Sequence, residues 1–169
     1  APKVFSELGA KVETIGSSPD GININQNCGS TSPNALKEAI IKGSYDIGIA
    51  FDGDGDRILI VTSDGDILDG DDILYILSKE IPANSGVVGT LMTNKALELY
   101  FQNEGIEFSR ADVGDKYVLQ RLIERSWVLG GEPSGHIICL DSAPTGDAIV
   151  AALKFLNATK DKGFSVEKS

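Results

Sequence analysis

Three aspartates at alternate positions, Asp52, Asp54 and Asp56, are separated by Gly53 and Gly55, end in Arg57 and stand between two apolar runs, Tyr45 to Phe51 and Ile58 to Thr62. Such a segment cannot stay a straight strand and serve one ion. Side chains two apart in an extended chain stand roughly 6.5 Å from each other, too far for three carboxylates to share bonds of about 2.0 to 2.6 Å. Glycine reaches positive φ without steric penalty, so the two glycines let the backbone curl and aim the acids at a common point. Without a cation the clustered charges raise one another's pKa values. An all-oxygen ligand set selects a hard ion, Mg²⁺ or Ca²⁺, over zinc. Arg57 adds a permanently charged guanidinium that forms forked hydrogen bonds to phosphate oxygens, so a metal beside this arginine points to a phosphate.

Two familiar loops are excluded by the same residues. A calcium-binding EF-hand loop needs Gly at its sixth position and Glu at its twelfth, where this chain has Arg57 and Ser63. A dinucleotide-binding fingerprint needs a third glycine and a following helix, and neither is present. Solvated Asp/Gly turns are common, but a regular trio of acids ending in arginine between two apolar strands is not one of them.

Around this loop the chain alternates short β-like runs with helical patterns, the mark of α/β layering. Val4, Phe5 and Leu8 have helical spacing up to Gly9, and Val12 to Ile15 reads as a strand. Ser32 and Pro33 announce a helix that runs to Gly43, as cap and first-turn proline. Strands follow at 45–51, 58–62 and 67–68, with Asp64-Gly65 as the turn. From Asp71 the rhythm restarts: helix to Ile81, strand near 87–91, helix 95–103, strand near 108–113, helix 116–125, strands 128–130 and 136–140, and a helix from Asp147 to about Ala158. Asp69 and Asp71 read as capping residues. The restart divides the chain into units at 1–68 and 69–169.

Fifteen basic against twenty-five acidic residues give a net charge of −10, which repels nucleic acid and anionic membranes. With 41% hydrophobic residues the chain can bury a core. No apolar run is long enough to span a bilayer, and the start has neither a signal-peptide core nor an initiating Met, so it reads as a cut. Cys28 and Cys139 lie far apart without metal-ligand spacing and read as reduced thiols of a cytoplasmic protein.

The loop from Asp52 to Arg57, preceded by Gly48-Ile-Ala-Phe51, resembles the metal-binding loop of the α-D-phosphohexomutase superfamily, and Glu132-Pro-Ser-Gly-His136 resembles its sugar-binding motif. Asp20-Gly-Ile-Asn-Ile-Asn25, Val113-Gly-Asp-Lys-Tyr-Val118 and Thr145-Gly-Asp-Ala148 look most like the phosphoglucosamine mutase branch. The resemblance covers nearly the whole chain. It implies two consecutive α/β domains with mixed sheets, the second and third of four: an incomplete metal-binding domain over 1–68, truncated at its N-terminus, and a sugar-binding domain over 69–169. Domains one and four of the same polypeptide would be missing, and the full-length enzyme could pair as a homodimer.

The activity this implies is interconversion of glucosamine 6-phosphate and glucosamine 1-phosphate through a phosphoserine and a bisphosphorylated intermediate. By the same resemblance Asp52, Asp54 and Asp56 hold Mg²⁺ and Arg57 contacts the phosphate. Glu132 and Ser134 bond sugar hydroxyls, His136 acts as an acid or base, and Asp115 and Lys116 are a charged pair facing the cleft. The family pairs its reactive serine with His-Asn-Pro, and His136 is the single histidine here, so the piece is expected to be inactive alone. Taken by itself, Pro133-Ser134-Gly135 is also an ordinary turn sequence, His136 suits a backbone-bonded strand start, and Asp115 suits a helix N-terminus. Two rival functions remain. A haloacid-dehalogenase-type phosphotransferase has Thr or Val at the fifth loop position, where this chain has Asp56. A noncatalytic module that binds metal and sugar phosphate, or another phosphohexomutase acting on mannose or glucose phosphate, is the other.

Overall fold

In a computed structural model, residues 1–162 are described, so residues 163–169 of the second expected unit lie outside the described residues. Two sheets organise the chain. The first has the order β1-β2-β3, built from Ile47–Phe51, Ile58–Thr62 and Ile67–Leu68, antiparallel throughout. The second has the order β5-β4-β6-β7. Phe108–Ala111, Val87–Thr90 and Leu129–Gly131 run parallel, and Ile137–Cys139 returns antiparallel beside Leu129–Gly131. The mixed sheet is therefore the second one.

Alternation along the strands decides what each face buries. On β4, Val87 joins a core with α3 (Gly70–Leu77), α4 (Lys95–Asn103) and α6 (Ala148–Thr159). Its neighbour Val88 faces the other way and packs with Val118, Leu122 and Trp127 around α5 (Asp115–Arg125). The second sheet is thus covered by helices on both faces. Helix α6 buries Ala148, Ala151, Ala152 and Phe155, a stripe at helical spacing whose small residues permit close approach. Ile58, Ile60 and Leu68 of the first sheet enter this same core, so the two sheets share one apolar interior. On the first sheet's other face lies α2 (Asn34–Lys42); a Cβ on Gly48 would stand 3.0 Å from Leu36 and Ile40, which shows how closely helix and strand are packed.

Several expectations from sequence need correction. Val12 to Ile15 forms no strand: β1 is an edge of its sheet and no partner lies beside this segment among the described residues, so its backbone has no ladder to join. Val12 still packs on the core, and the Tyr45 hydroxyl donates to the Glu13 carboxylate. Helix α2 begins one residue after Pro33, and Ser32 makes no capping bond. Asp69 caps α3 as expected, with Asp72 rather than Asp71 completing a reciprocal capping box. Asp71 instead accepts the Asn94 amide at 2.8 Å, reaching from α3 to the loop after β4. The opening helix, α1 (Pro2–Glu7), buries Phe5 against Phe51. Both cysteines are free. Among the described residues no helix is long and apolar enough to cross a membrane.

Candidate functional site

The acidic loop is a tight connection between β1 and β2, closed by backbone bonding between Asp52 N–H and the Arg57 carbonyl. Its first acid organises it: Asp52 Oδ1 accepts the amides of Gly55 at 3.2 Å and Arg57 at 3.1 Å. Of the two glycines only Gly55 takes positive φ, +75°. Gly53 serves by lacking a side chain, since a Cβ there would collide with Ile24 at 2.2 Å. The result is convergence. Asp52, Asp54 and Asp56 each offer a carboxylate oxygen, and these lie within 4.8 Å of one another.

The charges of this cluster are not equivalent. Burial and the adjoining Asp52 carboxylate push Asp56 above the usual carboxylate range. Burial also works to raise Asp52, yet the Arg57 amide, hydrogen bonds with Asp56 and Asp54, and the Arg57 guanidinium outweigh it, and Asp52 lies below that range. Mutual elevation of the acids, expected from sequence, therefore falls on one partner while its neighbour is held charged. Arg57 stands with Nε 3.6 Å from Asp52 and 3.9 Å from Asp56, its side chain 47% exposed, so much of the guanidinium remains open to a further anion. Asp56 Oδ1 is buried without a hydrogen-bond partner. An orphaned carboxylate oxygen beside two convergent acids is what a hard cation with oxygen ligands would satisfy, so these residues fit Mg²⁺.

The turn from Glu132 to Gly135, between β6 and β7, is stitched to that loop. Ile58 donates its amide to the Gly135 carbonyl at 3.0 Å, and Arg57 and His136 form an antiparallel bridge. Gly70 N–H binds the Pro133 carbonyl, and Ala148 N–H, at the start of α6, binds the Gly55 carbonyl. Side chains complete the junction: His136 Nδ1 lies 3.0 Å from Asp56 Oδ2. Glu132 Oε1 accepts the Gly114 amide at 3.0 Å, which draws in the loop between β5 and α5.

Between these loops lies a cavity of about 480 Å³ whose walls include Asp56, Arg57, Asp115, Glu132, Ser134 and His136. It opens beyond the carboxyl ends of the parallel strands, where α/β sheets bind ligands. A second cavity of about 390 Å³, between α3, α6 and the far ends of β6 and β7, has the Asp141–Lys154 ion pair and no convergent acids. The structure thus brings Asp56, Arg57, Asp115, Glu132, Ser134 and His136 to one cavity; Asp52 and Asp54 do not line it but converge on Asp56 within 4.8 Å. Lys116 is not brought there: its Nζ lies over the Tyr117 ring, 4.7 Å from the centroid, because α5 turns that side chain along its own surface. Ser134 is exposed and free to bond a ligand.

Two contributors escaped the reading of the sequence. Gly114 acts through its amide, which no residue type advertises. Gly146 lies against the His136 ring, where a Cβ would stand 2.2 Å from Nε2. The run Thr145-Gly-Asp147 carried the only signal for it.

Residues 69–169 match the family model described as phosphoglucomutase/phosphomannomutase, alpha/beta/alpha domain III. A phosphoglucosamine mutase of Pseudomonas entomophila is 54% identical over 167 residues, and one of Aeromonas hydrophila is 56% identical over 162. These alignments take in 96% and 94% of this chain but 37% and 36% of those proteins, so the chain spans a little over a third of their length. A crystal structure of a phosphoglucomutase/phosphomannomutase family protein from Burkholderia thailandensis superposes with a TM-score of 0.84 at 26% identity, covering 94% of this chain and 36% of that one. The N-acetylphosphoglucosamine mutase of Aspergillus fumigatus, solved with GlcNAc-6P and magnesium, shares the fold at a TM-score of 0.61 and 19% identity, over 82% of this chain and 38% of that one. With more than half its residues matched by one family model, and the acids and the Glu132 turn meeting as described, the chain belongs to the phosphoglucomutase/phosphomannomutase family.

Proposed function

We propose that the chain is the metal- and sugar-binding portion, domains two and three, of a phosphoglucosamine mutase that interconverts glucosamine 6-phosphate and glucosamine 1-phosphate through a phosphoserine and a bisphosphorylated intermediate. One observation carries the reading: Asp56 and Arg57 of the acidic loop share a single cavity with Glu132 and Ser134. The 54–56% identity to phosphoglucosamine mutases supports the amino-sugar branch over mannose or glucose phosphate mutases. The Aspergillus enzyme, solved with GlcNAc-6P and magnesium, supports a sugar phosphate and Mg²⁺ as ligands.

Asp52, Asp54 and Asp56 would hold Mg²⁺, whose charge offsets the negative charge spread over a transferring phosphoryl group. Arg57 donates from its exposed guanidinium to phosphate oxygens. Glu132 has Oε1 fixed by the Gly114 amide, leaving Oε2 to accept from a sugar hydroxyl, and exposed Ser134 donates to the next one. Asp115 lines the same cavity. Because phosphoryl transfer rests on positioning and electrostatics, these roles need no unusual side-chain chemistry. The sequence holds no serine followed by His-Asn-Pro, so the chain alone would bind without turning over. Its ligand is a small sugar phosphate, its net charge of −10 disfavours nucleic acid, and its free thiols suit a reducing cytoplasm.

Calorimetric titration of the 169-residue chain with glucosamine 6-phosphate, with and without Mg²⁺, tests this. Saturable binding that requires Mg²⁺, disappears in Asp54→Asn and weakens in Glu132→Gln is the expected result. Binding indifferent to Mg²⁺, or glucosamine 1-phosphate formed by the chain alone, would overturn the reading.

A further inference from the structure

Three acids line the cavity between the two loops, and two of them are engaged. Asp56 has Oδ2 3.0 Å from His136 Nδ1 and converges with Asp52 and Asp54, while Glu132 Oε1 accepts the Gly114 amide. Asp115 differs: it is exposed, and among the described residues no hydrogen bond or ion pair reaches its side chain. Its neighbour Lys116 does not neutralise it, because that Nζ lies over the Tyr117 ring. Arg57, the permanent cation on the cavity wall, stands beside Asp52 and Asp56 instead.

An unpaired carboxylate facing a cavity that takes a sugar phosphate repels its ligand, unless the ligand also brings a cation. A hexose phosphate has no such group. A hexosamine phosphate has one, the C2 ammonium, carried on the carbon next to the C3 hydroxyl. The placement of Asp115 suits that group. Gly114, with φ of +128° at the start of α5, gives its amide to Glu132, and Asp115 is the next residue, so the free acid stands one position from the point that fixes the acceptor for a sugar hydroxyl. An acid in the first turn also favours the helix dipole, but that effect is the same for every sugar.

We propose that Asp115 is a specificity-determining residue for an amino sugar: its carboxylate accepts a charge-assisted hydrogen bond from the C2 ammonium of a hexosamine phosphate and disfavours sugar phosphates with an uncharged group at C2. The inference rests on this cavity being the sugar-phosphate site proposed above.

The test is calorimetric titration of the 169-residue chain in Mg²⁺ at about pH 6.5, where an amine titrating near 8 is charged. Three ligands are compared: glucosamine 6-phosphate, N-acetylglucosamine 6-phosphate and glucose 6-phosphate. The parent should bind the first most tightly. Asp115→Asn should weaken that binding about fivefold or more, while the other two bind at least as tightly as before, which also shows that the variant is folded. A role confined to the helix end would move all three together. Equal losses for the three ligands, undiminished binding of glucosamine 6-phosphate, or a parent without preference among them would overturn the proposal. Should the parent bind none of the three, or bind them as well after Glu132→Gln, the cavity is not the sugar-phosphate site, and this inference falls with that reading.

Discussion

Gly135 is asked to do two things at once. Its φ of +91° lies in the region L side chains rarely adopt, and a Cβ built there would stand 2.0 Å from the Ile58 carbonyl oxygen. Gly135→Ala therefore adds backbone strain to a collision with main chain that cannot step aside, at a cost of about 2 to 4 kcal/mol. Denaturant unfolding should show that loss, with Mg²⁺ affinity falling as the Arg57 to His136 bridge opens; an alanine variant as stable as the parent would mean the two loops are not seated on each other. Asp71 makes a prediction about pH. Burial, with Asp69 and Asp72 nearby, raises its pKa, although the Asn94 amide and Arg110 oppose the shift. A carboxyl whose folded pKa exceeds its unfolded value of about 3.9 holds its proton longer when folded. Its contribution is complete below the unfolded pKa and is lost as pH rises through the folded one. The unfolding free energy of Asp71→Asn minus that of the parent should therefore grow between about pH 3 and pH 7. A flat or falling difference, measured by chemical denaturation across that range, would remove Asp71 from the acid-sensitive groups.

Among the elements, those legible in the sequence were the ones whose signal is local. The apolar stripe of α6, the Asp69 cap of α3 and the Asp64-Gly65 turn are written within a few residues, and all three formed. Val12 to Ile15 has the composition of a strand but no neighbour to pair with, and pairing is not a property of four residues. The acidic trio could be read because its carboxylates are close in the chain. The Asp56–His136 contact joins residues eighty positions apart and required two loops to be stitched first. Glu132 held by the Gly114 amide is likewise invisible to side-chain identity. The capping box of α3 permits a quantitative check, because Asp69 accepts the amides of both Asp71 and Asp72. Asp69→Ala should cost about 1 kcal/mol, a fall of roughly 2 to 4 °C in Tm for a chain of this size. Asp69→Asn, which keeps the acceptor, should recover most of it; equal losses in both variants would assign the effect to charge rather than to capping.

For the whole molecule the decisive feature is that the two sheets share an interior. Ile58, Ile60 and Leu68 pack in the same cluster as Ile73, Phe101, Ile137 and Phe155, so neither unit can expose its core without opening the other's. Units joined this way unfold together, and a scanning calorimetry trace of the chain should contain one transition. Mg²⁺ held by Asp52, Asp54 and Asp56, as proposed, would act on that same equilibrium, because the unfolded chain offers no preformed ligand cage. At free Mg²⁺ one hundred times its Kd, the folded state gains about 2.7 kcal/mol, a rise of roughly 5 to 11 °C in Tm. The chain carries ten net negative charges, so NaCl at matched ionic strength is needed to separate screening from binding. The rise should survive that control and vanish in Asp54→Asn. Two resolved transitions would show that the shared core does not couple the units, and a midpoint that NaCl shifts as much as MgCl₂ would show that Asp52, Asp54 and Asp56 hold no ion of their own.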